Sequence, residues 1–392
     1  MMALHYPMFI TLACISNAVV AFTVGPVGLE SNQAFGTNLH SRKLSDENTP
    51  ILPSPQDRSR SIDSILDSLE KIKDAEKLEE ALNKLVEENH LGRRRAMKAG
   101  KNLNQKPQTE AENRGLLPRI IIYYIQRGVR HIISGEKIAH VIRFIFHECV
   151  GGCDGCLNRD LPPNMTPMLE TVTLLDQLYD SRFYRRFVSR ADFYVLAAIT
   201  TLDIGPRIPF RFGRKDCATS PISAESRTFP KGRDDFDAVM AFFAIEFGLG
   251  PRLGTALSGA HTLGGAAGAA GSGFLGFWKE NATEAAKFDA RYFSLMADPD
   301  LNWNLVNAAL QTNANSPRWQ WEGFRDNEQV SFMLNSDVAL LLDIQPNAEG
   351  RSSCNFDTCQ QSQTAILVKI YGRFPNFWIR DFSVAFTRMV EN

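Results

Sequence analysis

Apolar positions between Ile62 and Gly92 recur at helical spacing. Ile62, Ile65, Leu66, Leu69, Ile72, Leu78, Leu82 and Leu85 fall three, four or six apart, with Asp, Glu and Lys between them. That pattern predicts an amphipathic helix over residues 62–91. The flanking stretches, 22 to about 60 and 96–114, are polar and rich in Ser, Asn and Pro, so they are expected to be flexible. From Leu116 to the C-terminus the apolar density rises. An apolar start at Ile120–Ile125 is followed by helical patterns over 135–149, 166–187, 191–202 and 234–247. Two late helices are expected over 337–342 and 379–390. Residues 191–202 are apolar almost throughout and predict a buried helix. The Gly-, Ala- and Ser-rich run Gly264–Gly276 is read as a loop. Strand patterns are few and short. The expected class for 116–392 is therefore all-α, with no internal repeat.

The first residues have a different character. Pro7-Met8-Phe9-Ile10-Thr11-Leu12-Ala13-Cys14-Ile15 is a short apolar stretch followed by small residues up to Ala21. Its length suits the hydrophobic region of a secretory signal peptide over 1–21 and is too short to span a membrane. Residues 22–115 then read as a pro-segment, with a candidate processing site at Arg93-Arg94-Arg95. No later run is long and apolar enough for a transmembrane helix.

Composition adds limits. Apolar residues make up 44% and charged residues 22%, an ordinary soluble balance that excludes whole-chain disorder and a coiled-coil rod. The formal net charge of −1 gives no electrostatic argument for nucleic acid as partner. Of seven cysteines, Cys14 lies in the expected signal peptide; the remainder are Cys149, Cys153, Cys156, Cys217, Cys354 and Cys359. An even number fits a disulfide framework in an oxidising compartment. Cys354 and Cys359 are expected to pair across a short loop, and the other four leave three pairings open. Zinc is disfavoured, because no second Cys-x-x-Cys or His pair lies nearby.

Two histidine segments carry candidate chemistry. In Arg143-Phe144-Ile145-Phe146-His147-Glu148-Cys149, Arg143 and His147 are four apart and share a helix face. An imidazole can move a proton between the two oxygens of a peroxide, and an adjacent cation can stabilise the charge on the leaving oxygen. In Ala256-Leu257-Ser258-Gly259-Ala260-His261-Thr262-Leu263-Gly264, His261 sits among small residues, which would let a bulky planar group approach its backbone. Neutral imidazole is a usual proximal ligand of haem iron.

Jointly these segments resemble the plant-type haem peroxidases. The first is similar to the distal motif Arg-Leu-x-Phe-His-Asp-Cys, with Phe144 for Leu and Glu148 for Asp. The second is similar to the proximal motif Leu-Ser-Gly-x-His-Thr-Leu-Gly. Between them Ser189-Arg190-Ala191-Asp192-Phe193 resembles a buried Ser-x-Ala-Asp helix. Leu334-Asn335-Ser336-Asp337-Val338 resembles the segment of the proximal aspartate, and Phe382–Met389 the last helix. The resemblance covers about 116–392. It implies a two-domain, mainly helical fold with haem b between distal and proximal halves.

The resemblance also implies roles. His261 would ligate the haem iron and Asp337 would accept its other ring hydrogen, besides any part in capping the helix that follows. His147 would be the acid–base group, Arg143 its electrostatic partner and Phe146 the distal aromatic wall. Ser258 belongs to the cofactor-binding segment. Ser272-Gly273-Phe274-Leu275-Gly276-Phe277-Trp278 resembles the Ser-Gly-Phe-Glu-Gly-Pro-Trp of the ascorbate and cytochrome c peroxidase class. It would stack Trp278 on the proximal imidazole and hydrogen-bond it to Asp337. The distal imidazole needs an acceptor, for which Asn164 is the candidate and Asn158 the fallback. Asn164-Met165-Thr166 is also a glycosylation sequon, as is Asn281-Ala282-Thr283.

Departures from the family pattern limit what is carried over. Gly271 stands where the ascorbate-using relatives have an arginine, which argues against ascorbate as reductant. Glu148 and Asp154 are candidate ligands of a distal calcium, but Cys156 replaces a serine ligand, and a disulfide sulfur suits a hard cation poorly. Thr262 and Asp289 match a proximal cation site, yet Lys279 follows Trp278 where some relatives have threonine, and its ammonium would replace the cation. The expected function is a secreted haem peroxidase using hydrogen peroxide to oxidise small phenolic donors or protein tyrosines. The rival is an extracellular matrix protein that kept the fold and lost turnover.

Overall fold

The computed structural model describes residues 63–88, 116–157, 166–181, 183–202, 208–218, 229–267, 273–312 and 314–392. All of them belong to one compact unit, 53–392. The expected signal peptide, Cys14, the Arg93–Arg95 site, Asn158, Asn164, Gly271 and Ser272 lie outside the described residues. Helices dominate, as the apolar periodicity predicts. They are α1 (residues 63–69), α2 (Ala75–Glu88), α3 (Leu116–Ile132), α4 (Lys137–Cys149), α5 (Thr166–Ser181), α6 (Arg190–Leu202), α7 (Phe236–Phe247), α8 (Pro251–Ser258), α9 (Arg291–Met296), α10 (Ala309–Thr312), α11 (Asn335–Val338), α12 (Ala365–Arg373) and α13 (Pro375–Val390). The helix expected at 337–342 is thus the single turn α11. No helix among the described residues is long and apolar enough to cross a membrane.

The core forms where the apolar faces meet. α6 is buried along nearly its whole length and packs on α3 and α4. Ser189 caps it by accepting the Asp192 N–H at 3.0 Å. Asp192 reaches out to the Gly213 N–H at 2.8 Å and the Arg214 guanidinium at 2.9 Å, tying that segment to the helix. α13 packs on α8, and α12 on α9.

The single helix expected over 62–91 is broken into α1 and α2. The side chain of Asp74 accepts the N–H groups of Glu76 at 3.0 Å and Lys77 at 3.2 Å, which ends one helix and starts the next. The break falls in the six-residue step between Ile72 and Leu78. α1 lies against α12, and α2 against α12 and α13. Leu66, Leu82 and Val86 are fully buried there, each contributing roughly 1.5–3 kcal/mol. Around that seam Asp63 pairs with Lys369 at 3.0 Å, Asp67 and Glu70 with Arg373 at 2.5 Å, and Glu79 with Arg380. Exposed ion pairs contribute about 0–1 kcal/mol each, so the leucine seam does most of the holding.

Strands are more extensive than the pattern suggests. Within the helix-rich fold, β3 (Asn302–Asn307), β4 (Trp319–Arg325) and β5 (Glu328–Met333) form an antiparallel sheet in that order. The Asp326-Asn327 turn joins β4 and β5 with both residues at positive φ, 50° and 68°, as a tight hairpin requires. The run read as a loop contains a second pair, β1 (Gly265–Ala267) with β2 (Leu275–Phe277). A Cβ on Gly265 would lie 2.2 Å from the Gly276 carbonyl oxygen. The glycines taken for a loop are what lets these two backbones touch. β6 (Leu342–Asp343) pairs with β7 (Gln360–Gln361).

Among the described residues there are three disulfides. Cys354–Cys359 matches the expected pairing, and the open choice resolves as Cys149–Cys153 and Cys156–Cys217. Among the described residues no group of three His, Cys, Asp or Glu side chains is placed to hold a metal ion.

Candidate active site

His261 sits in a 3-10 turn, Gly259–Thr262, that continues directly from α8. Its Nδ1 lies 2.7 Å from Asp337 Oδ1. Asp337 is buried and takes two further donors: the Tyr292 hydroxyl at 2.8 Å on the same oxygen, and the Leu334 N–H at 2.8 Å on Oδ2. The aspartate therefore both orients the imidazole and ties down the start of α11. The expected indole donor, Trp278, does not bond Asp337; Tyr292 supplies that contact. Burial and the neighbouring carboxylate push the Tyr292 hydroxyl well above its ordinary pKa, which keeps its proton in place.

Trp278 does lie on the imidazole, with ring centroids 4.4 Å apart and planes 5° apart. Phe332 stacks on Trp278 in turn, at 4.3 Å. The imidazole is thus fixed by a carboxylate at one nitrogen and by a ring over its face. Its side chain is nevertheless 43% exposed, against 2% for Asp337. Nδ1 is committed, while Nε2 has no partner among the described residues. An imidazole oriented through one nitrogen and open at the other is what would hold a haem iron.

The small residues beside His261 have another use. An ideal Cβ on Gly259 would lie 2.6 Å from the Trp378 Nε1 and from the Phe293 ring. The room belongs to α13 and α9, not to a flat group approaching the backbone. Ser258 donates to the Gly254 carbonyl at 3.0 Å within α8.

The distal residues project from α4. Arg143 is exposed on α4, and desolvation by the protein packed around its stem lowers its pKa. His147 is half-buried, 4.5 Å from the Phe229 ring and edge-on to Phe146 at 6.1 Å. Phe146 joins Phe229, Phe242 and Phe247 in an aromatic wall. Phe229 was not foreseen, since an isolated Phe beside a proline carries no periodic pattern. α4 reaches the proximal segment where Ala139 abuts Gly264, three residues past His261; a Cβ there would lie 3.0 Å from that of Ala139.

The candidate distal cation ligands are engaged with backbone. Glu148, fully buried, accepts the Gly155 N–H and the Leu157 N–H, the latter at 3.1 Å. Asp154 Oδ1 accepts the Cys156 N–H at 3.1 Å. Together with the two nearby disulfides they shape the loop after α4.

On the proximal side a lysine stands among the oxygens. Lys279, 1% exposed, places its ammonium 3.1 Å from Asp289 Oδ1 and 2.6 Å from the Lys287 carbonyl oxygen. Thr262 donates to the same Asp289 oxygen at 3.0 Å. Burial lowers the Lys279 pKa more than Asp289 raises it. Its folded pKa then lies below the unfolded value of about 10.4, so its contribution to stability rises with pH across that window. Lys279→Ala leaves a buried carbonyl without its donor, and is expected to cost about 1–3 kcal/mol. Potassium should restore part of the lost melting temperature by entering between Asp289, Thr262 and the Lys287 carbonyl. Equal melting curves in sodium and potassium would show that these oxygens do not form a cation site.

His261 with Asp337 and Trp278, and Arg143 with His147 and Phe146 on α4, are the residues that the resemblance to plant-type peroxidases singles out. Comparison with known proteins agrees: residues 125–348 match the family model described as peroxidase. The chain belongs to the plant-type peroxidase family. It is 36% identical over 115 residues to the cytosolic L-ascorbate peroxidase 1 of Oryza sativa subsp. indica, covering 29% of this chain and 43% of that protein. It is 32% identical over 152 residues to a basic peroxidase of Zinnia elegans, covering 36% and 47%. With Peroxidase 51 of Arabidopsis thaliana it shares 33% over 163 residues, covering 37% and 49%. The chain thus spans less than half the length of these relatives.

Proposed function

We propose that this protein is a secreted haem peroxidase that reduces hydrogen peroxide and oxidises small phenolic donors. The observation that carries the reading is His261: Nδ1 held by a buried carboxylate, a parallel tryptophan over its face, and Nε2 left for another group. Haem, when bound there, would supply the iron chemistry that accepts oxidising equivalents from peroxide and passes them on singly. The chain's own residues do the rest. His147 takes a proton from one peroxide oxygen and returns it to the other. Arg143, a cation one helical turn before His147 on α4, stabilises the charge that builds on the departing oxygen. Asp337 keeps the imidazole ring hydrogen at Nδ1 and so keeps Nε2 as the ligating atom.

Secretion is supported by the apolar N-terminal stretch and by three disulfides, which accord with an oxidising compartment. The phenolic donor is supported by Gly271, which lacks the cation that a carboxylate-like donor would need. The intact Arg143, His147, His261 and Asp337 favour an enzyme over a matrix protein without turnover. The test is a spectrum and a competition. Purified holoprotein is expected to show a Soret band that shifts on adding hydrogen peroxide, and a higher kcat/KM for guaiacol than for ascorbate. An unshifted band would remove the activity; preference for ascorbate would remove the donor assignment alone.

A further inference from the structure

Asp337 receives more donors than orienting one imidazole requires. Its Oδ1 accepts two groups at once, His261 Nδ1 at 2.7 Å and the Tyr292 hydroxyl at 2.8 Å. Its Oδ2 accepts the Leu334 N–H at 2.8 Å. The family resemblance implies an indole donor to this carboxylate. Here Trp278 lies flat over the imidazole instead, and the bond to Asp337 comes from a phenol. The hydroxyl and the imidazole N–H therefore share the charge of a single oxygen.

That sharing is built into the packing. Tyr292 is fully buried on α9. Its ring meets the His261 ring edge-on with centroids 6.2 Å apart, and meets the Phe293 ring at 4.9 Å. α9 is pressed against α12, where a Cβ on Gly372 would lie 2.9 Å from the Ser294 backbone. Just before α9, Asp289 Oδ1 accepts the Arg291 N–H at 3.0 Å and the Thr262 hydroxyl at 3.0 Å. Thr262 follows His261 in sequence. One carboxylate thus ties the helix that carries the tyrosine to the turn that carries the imidazole, and the two donors converge on Asp337 by design of the surrounding fold.

We propose that Tyr292 is a positioning residue that sets how much negative charge His261 passes to a metal bound at Nε2. The proposal rests on the reading of His261 as a haem ligand. A carboxylate that accepts from Nδ1 raises the basicity of the imidazole. A second donor on the same oxygen takes up part of the carboxylate charge, so the Nδ1 hydrogen bond weakens and the ring stays closer to neutral. A ligand with less anionic character favours ferrous over ferric iron, and hydrogen bonding behind the ligand is one of the protein's levers on haem potential. Asp337 lowers the potential, and Tyr292 raises part of it back. Trp278 packs on the ring face and is not bonded to Asp337, so it has no share in this control.

The test uses the full-length holoprotein and its apoprotein. Redox titration of the Soret band gives the ferric–ferrous potential. Proton NMR of the apoprotein gives the Nδ1 hydrogen of His261 without any haem. Tyr292→Phe keeps the ring and removes the second donor. The potential is expected to fall by the equivalent of an about two- to ten-fold change in ferric over ferrous preference, as for one neutral hydrogen bond. That is about 20–60 mV for a one-electron couple. The Nδ1 hydrogen should move downfield, because its bond to Asp337 strengthens. Placing 3-fluorotyrosine at position 292 keeps the shape and strengthens the donor, so both signals should move the other way. Should Tyr292→Phe fail to fold, the fluorinated protein carries the test alone. Trp278→Phe keeps a ring on the imidazole and should shift the potential less than Tyr292→Phe does. A loss of packing alone would lower melting temperatures without giving opposite shifts in the phenylalanine and fluorotyrosine proteins. An unchanged or higher potential in Tyr292→Phe, an Nδ1 hydrogen that stays put or moves upfield, or a larger fall in Trp278→Phe would each overturn the proposal. Failure of the wild type to bind haem would overturn the ligand reading instead, and the apoprotein signal would still test the hold of the hydroxyl on Asp337.

Discussion

Replacing His147 by leucine is expected to slow the reaction with hydrogen peroxide by about 10²–10⁴-fold. The loss corresponds to roughly 3–5 kcal/mol of transition-state stabilisation. Leucine fills similar space beside Phe229, 4.5 Å from the imidazole, so the aromatic wall should keep its packing. What is lost is the group that carries a proton between the peroxide oxygens. Haem content should be unchanged, because His147 belongs to α4 and the proposed ligand is on the far side of the Ala139–Gly264 contact in sequence. Arg143→Leu removes charge stabilisation instead. Its effect should be of the same kind and smaller, with weaker dependence on pH, since a guanidinium does not titrate in the accessible range even when burial lowers its pKa. Stopped-flow following of the Soret band at several peroxide concentrations decides this. A wild-type rate in His147→Leu would assign the proton transfer to another residue.

The parts of this site that were legible in the sequence are those fixed by local spacing. Arg143 and His147 share a helix face because they are four apart on a helix, and α4 forms because its apolar residues repeat at that period. His261 and Asp337 were paired only through resemblance, since seventy-six positions separate them and no local rule brings them together. Tyr292 and Phe229 were missed for the same reason: a tyrosine on a short helix and a phenylalanine in a connecting stretch look ordinary until the fold places them. The sheet is hard to read from sequence because its strands are short and both faces of β4 are covered, so that Gln320 and Glu322 are as enclosed as Trp321 and no single apolar face marks the strand. Lys279 was legible in a different way. A lysine beside Trp278 reads as exposed, and only its position after that tryptophan suggested that it would be buried among oxygens.

Removing the proximal imidazole is expected to have the largest effect on the cofactor. Asp337→Asn weakens the acceptor of the Nδ1 hydrogen, a support one step removed from the proposed ligand, and such changes cost about 10–100-fold in affinity for a bound metal. His261→Ala takes away the ligating nitrogen itself and should cost more than that. The rest of the cluster has reason to survive: Asp337 keeps the Tyr292 hydroxyl and the Leu334 N–H, and Trp278 keeps Phe332. The space left is therefore shaped like an imidazole, with a buried carboxylate at one end and an indole along one side. Added imidazole should enter it, donate to Asp337 and offer its second nitrogen as His261 does. The measurement is haem titration of the apoprotein followed in the Soret region, for wild type, Asp337→Asn and His261→Ala, with and without imidazole. The expected order is wild type tightest, Asp337→Asn intermediate and His261→Ala weakest, with imidazole moving only the last. Wild-type haem affinity in His261→Ala would place the ligand elsewhere. Equal losses in both variants, with no recovery on adding imidazole, would mean that the carboxylate holds the fold of this region rather than the orientation of a ligand.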